Sequence, residues 1–104
     1  DKDGNKSTRI VGDNYEVIAG SDFVNIKGTA NLTIDSNCNT YIKGNWNIQV
    51  DGTKTEVVTG AVSETYKSTK TENVTGAVSE TYSSSQTTAV SSNVTITGSR
   101  IDLN

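Results

Sequence analysis

The sequence predicts an all-β fold built from octapeptide (I/V)xGxxxxx repeats, with a core completed by further copies of the same chain. Three observations predict it. Small residues recur at a spacing of eight, a β-branched or aromatic residue stands two places before each from Gly12 on, and hydrophobic residues make up only 32% of the chain. A lone chain of 104 residues so poor in apolar side chains can hardly bury enough surface to offset the entropy of ordering it. It is either a disordered polar repeat or a regular chain that shares its core.

The spacing comes first. Gly4, Gly12, Gly20, Gly28, Gly44, Gly52, Gly60 and Gly76 are separated by eight or a multiple of eight, and Ser36, Ser68, Ser84 and Ser92 fill the skipped places. Gly12, Gly20, Gly28, Gly44, Gly52, Gly60 and Gly76 are therefore assigned as corners, where glycine tolerates φ values and close approaches that a Cβ forbids. Two places earlier stand Ile10, Ile18, Ile26, Ile34, Ile42, Val50, Val58, Val74 and Val90, with Tyr66 and Tyr82 in the same row. The nonapeptide VTGAVSETY, at 58–66 and again at 74–82, is two octads copied together.

Eight residues suit a helix poorly, and the Thr, Val, Ile and Tyr content favours strands. Each octad reads as about six extended residues and a tight corner. No Pro occurs, as expected where every N–H is wanted in a ladder. Alternation then assigns the faces. Counting from the small residue, places −2, +2 and +4 share one parity and hold most large apolar side chains, among them Ala30, Cys38, Trp46, Val62, Val78, Val24, Leu32 and Ile48. This even-numbered face is read as inward. The odd-numbered face is mostly Thr, Asn, Ser, Asp and Lys, with Tyr15, Phe23, Tyr41 and Val57 as exceptions.

One octad per face makes a three-sided coil of twenty-four residues. A single chain could stack such coils as a solenoid, but so thin an interior suits three chains wound about one axis. Strands stacked about 4.8 Å apart, one spacing per octad, give a shaft of about 60 Å with open edges only at its ends. A net charge of −3 offers no basic patch for nucleic acid, and no apolar run reaches membrane-spanning length. The single Cys38 excludes an intrachain disulfide and reads as a small inward side chain. Trp46 is expected to pack inward by parity rather than face lipid. The sequons at Asn31, Asn73 and Asn93 come free with Asn- and Thr-rich strands. Without an initiator Met or a signal-like start, the chain reads as a fragment of a longer protein.

The octad pattern, with the ending VTITGSRIDLN, resembles the C-terminal β-helix of the cell-puncturing spike of T4-like contractile-tailed phages, part of their tail-associated lysozyme protein. Related octad-bearing needles occur in type VI secretion spikes. The resemblance covers essentially the whole chain. It implies a trimeric, intertwined three-stranded β-helix shaped as a triangular prism. As its function it implies a needle in the central spike of the virion's tail baseplate, driven through the bacterial outer membrane on sheath contraction. Lysozyme and oligonucleotide-binding-type domains would lie N-terminal to this segment, and nothing here matches either. The shaft is expected over residues 1–92, with a closing strand over 93–104. There Gly98 falls two places ahead of the octad register, which would place a small residue at Arg100. By resemblance, Val94, Ile96, Gly98, Arg100, Ile101 and Leu103 would seat a PAAR-repeat tip protein. Some related spikes end in a histidine-held iron, and this chain has no His.

Catalysis by this segment is not expected. It lacks His, and catalytic carboxylate pairs need unlike environments, whereas Glu56, Glu64, Glu72 and Glu80 repeat at one place in the octad. Neither cofactor nor metal site is expected. By parity these glutamates point inward, with Lys54 and Lys70, so a trimer would hold rings of like charge that need partners. Inter-chain pairs of Lys54 with Glu56 and of Lys70 with Glu72 are expected. Glu64 and Glu80 have no Lys in their octads, which leaves water or a trapped cation in the lumen. The alternative is that these side chains lean to the corners and reach solvent. Two functional alternatives remain: a type VI secretion needle, and the receptor-binding shaft of a tail fibre or adhesin.

Overall fold

The computed structural model describes residues 2–104, in two units, Asp1–Thr53 and Lys54–Asn104. In the first unit the chain turns sharply at 11–12, 19–20, 27–28, 35–36, 43–44 and 51–52. In the second it turns at 59–60, 67–68, 75–76, 83–84 and 91–92, and once more at Ser99 alone. Six residues run between consecutive turns, as in 13–18 or 61–66, and none of them is helical. Side chains two apart meet along these runs, as Lys70 and Glu72 do at 2.8 Å, because an extended backbone puts i and i+2 on one face.

No described residue enters a hydrogen-bonded ladder, and the reason is distance. Among the described residues, Cα atoms twelve or more positions apart never come within 8 Å, whereas paired strands lie about 4.8 Å apart. None of the described residues is buried. The surface area is 12173 Å², against roughly 5,600 Å² for a compact globular monomer of this mass. Among the described residues, therefore, no buried core and no strand ladder holds the turns in place.

The two faces nonetheless differ. The row two places before each small residue, directly before the turn, is the most covered, from Ile42 at 41% exposed to Tyr66 and Val74 at 57%. It lies in the crook of the turn that follows. The odd-numbered apolar side chains Val11, Tyr15, Val17, Phe23, Tyr41 and Val57 stand 84–95% exposed. The remaining even positions fall between or overlap the odd ones, Val94 at 61% and Leu32 at 84%.

One expectation is corrected. Glycine was assigned to the corners partly for its freedom in φ, yet among the described glycines only Gly4 has positive φ, at 79°. At Gly12, Gly20, Gly28, Gly44, Gly52, Gly60 and Gly76 an added Cβ would meet nothing within 4 Å of its own chain. A turn of this kind is compatible with L-residues, which is why Ser36, Ser68, Ser84 and Ser92 can occupy it. Any steric demand for glycine there must come from outside the chain.

Candidate functional site

The predicted site residues follow the turns. Gly12, Gly20, Gly28, Gly44, Gly52, Gly60 and Gly76 are each the second residue of a turn, and Ile10, Ile18, Ile26, Ile34, Ile42, Val50, Val58, Val74 and Val90 each end the extended run before one. In the Asp1–Thr53 unit the even face carries Ile and Trp46. In the Lys54–Asn104 unit the same face mixes Val58, Val62, Val74 and Val78 with Lys54, Glu56, Glu64, Lys70, Glu72, Glu80 and Gln86.

The charged groups of this stretch are paired within the chain. Lys54 Nζ lies 3.2 Å from Glu56 Oε2, and Lys70 Nζ lies 2.8 Å from Glu72 Oε1. Both contacts lie inside one octad, because places +2 and +4 are i and i+2 on one face. Glu64 and Glu80, expected to rely on water or a cation, have a protein partner. The Tyr66 hydroxyl donates to Glu64 Oε2 at 3.3 Å, and the Tyr82 hydroxyl donates to Glu80 Oε2 at 3.1 Å. The four glutamates therefore occupy two alternating environments, one set by lysine and one by tyrosine. The signal was present in the nonapeptide: each copy ends Glu-Thr-Tyr, which puts a phenol two places after a carboxylate.

Electrostatics follows the pairing. The Glu72 carboxylate, hydrogen-bonded to and attracted by Lys70, is held below its ordinary 4.5, and Lys70 in turn is raised above 10.5. Tyr82 is raised above 10.0, first by donating its proton to Glu80 and then by that carboxylate's charge. The turn at 67–68 also brings Lys70 Nζ to 5.2 Å from the centre of the Tyr66 ring, a cation–π distance. Glu64, Tyr66, Lys70 and Glu72 thus form one cluster wrapped around a corner.

At the C-terminal end the turn phase holds, with the bend at Ser99 eight residues after Ser91, although the sequence brings its glycine early at Gly98. A Cβ at Gly98 would lie 3.4 Å from the carbonyl oxygen of Arg100 and 3.9 Å from Ile101 Cγ1. Arg100 Nε donates to Asp102 Oδ1 at 2.9 Å. Ile101, odd-numbered, is only 49% exposed, unlike the odd-numbered apolar side chains before it. Val94 and Ile96 keep the even face, and Leu103 is 87% exposed. Cys38 Sγ lies 3.9 Å from Thr40 Oγ1, again at i and i+2. A scan of protein families, a search of curated proteins and a search of solved structures each find no match to this chain.

Proposed function

We propose that this chain is the shaft of a trimeric needle, the intertwined β-helical end of the central spike of a contractile phage tail, and that it works mechanically rather than catalytically. The observation that carries it is the combination of a turn every eight residues with a face of half-covered Ile and Val and no buried residue. A chain with this regularity and no core of its own needs neighbours that repeat with the same period, and two further copies supply them. Closed ladders of backbone hydrogen bonds would make the shaft stiff, and its polar outer face would let it cross an outer membrane without sticking. Residues 93–104 would close the last layer and seat a tip protein. The mixed even face at 54–86 would line the lumen, with water or ions filling what its Lys and Tyr partners leave.

Light scattering behind a sizing column tests the assembly. About three times the 11.0 kDa chain mass supports the needle, and the mass of one chain removes it. A type VI secretion needle has the same physics, and gene neighbourhood separates the two. The receptor-binding alternative is favoured by one observation, the fully presented Tyr15, Phe23 and Tyr41 on the odd face. If it holds, Tyr15→Ser with Phe23→Ser abolishes binding of the trimer to whole bacteria. A needle has no such binding to lose.

A further inference from the structure

The odd face carries a second pattern, independent of the apolar row. Between residues 14 and 92 its charged side chains are Lys27, Asp35, Lys43, Asp51 and Lys67, and all stand at one place in the octad. In the structure that place is the first residue of a turn, as at 27–28, 35–36, 43–44 and 51–52. The first four occupy successive octads, and their signs alternate. Within one chain the alternation has no use. Eight residues of extended chain separate neighbours in the series by on the order of 20 Å. Among the described residues the ion pairs form elsewhere, and Lys27, Asp35 and Lys43 join none.

We infer that this corner column is an inter-chain ion ladder, in which each residue i lies beside residue i+8 of a second copy of the chain. The inference rests on the needle reading and gives it a register. When three chains climb one strand spacing per octad while moving round to the next face, the strand above octad n of one chain is octad n+1 of another. Lys27 then meets Asp35, Asp35 meets Lys43, and Lys43 meets Asp51, each across about one strand spacing. In a solenoid made by one chain the neighbour is i+24 instead. That rule keeps Lys27 beside Asp51 but sets Lys43 beside Lys67 and leaves Asp35 between Val11 and Thr59. The first rule gives three opposite-charge contacts and no like one, with Lys67 between Thr59 and Thr75, whereas the second gives one of each.

A second column agrees. Asn31, Asn39 and Asn47 stand three places after the turn in successive octads, so the i+8 rule stacks amide on amide, as cross-strand Asn ladders do. Tyr15 and Phe23, at the same place, become ring neighbours. The rule also stacks Glu56, Glu64, Glu72 and Glu80, which is tolerable because each has a Lys or Tyr partner in its own chain.

The test uses the full 104-residue chain. Asp35→Lys puts three lysines in a row in the column. The fourfold exchange Lys27→Asp, Asp35→Lys, Lys43→Asp and Asp51→Lys restores alternation at unchanged net charge. The expected result is a trimer whose melting temperature falls by several degrees in Asp35→Lys. The deficit shrinks in high salt, and most of the loss is recovered in the exchange. If Asp35→Lys does not assemble at all, the exchange decides: a trimer melting near wild type upholds the ladder, and failure overturns it. A wild-type trimer whose Asp35→Lys form melts unchanged overturns the ladder and leaves the needle standing. A wild-type mass of one chain removes both.

Discussion

At Tyr66 and Tyr82 a ring stands where other octads place Ile or Val, and the reason lies two residues earlier. Each phenol donates to a glutamate that has no lysine in its octad. The pH response follows from the groups whose acidity is shifted. Glu72 is lowered, so its contribution is present above 4.5 and lost as pH falls through the lowered value. Lys70 and Tyr82 are raised, so theirs are complete below 10.5 and 10.0 respectively and lost as pH rises through the raised values. Thermal melts of the assembled protein should therefore plateau between these limits and decline on both sides. Glu80→Gln should return the Tyr82 ionisation toward 10.0 in an ultraviolet titration, and an unchanged titration would remove the Tyr82–Glu80 pairing.

An octad is defined by its turn and by the side chain in the crook before it. Ile42 is the most covered of that row, and in an assembled core Ile42→Val should cost about 1 kcal/mol per chain, read from melting of the trimer. Ile42→Asp should prevent assembly, because in the proposed needle it places a charge in the shared core. Gly44 separates local from assembled effects. Its φ suits any L-residue and its own chain leaves room, so Gly44→Ser, matching Ser36, should assemble. Gly44→Val should not, if a neighbouring chain crowds the corner; a wild-type yield of Gly44→Val trimer would show the corners are open. The doubled octad makes another prediction. Removing residues 60–75 joins Thr59 to Gly76 and keeps turn phase, face parity and the Lys–Tyr alternation. The product should form a trimer shorter by about 10 Å. Removing one residue instead flips every following side chain to the other face and should abolish assembly.

For the whole molecule, an exposed area of 12173 Å² leaves one chain without a core, so in the proposed needle folding and association should be a single event. The unfolding midpoint should rise with protein concentration. A concentration-independent midpoint at the mass of one chain would point to a self-contained coil.

Much of this was legible in the sequence because the pattern is local. The period of eight and the corner positions depend on neighbours within one octad, and the chain turns at those same places, whereas the early Gly98 leaves the turn phase unchanged at Ser99. What the sequence alone left open was which partner each polar group takes. An ion pair between chains and one within an octad use the same residues. Only the extended geometry, which sets i beside i+2, closes Lys54 on Glu56 and Tyr66 on Glu64. The structure also removed a reason while keeping the residue. Corner glycines were attributed to unusual φ, and the turn needs none. Backbone angle depends on the path of the chain in three dimensions, which spacing along a sequence does not contain.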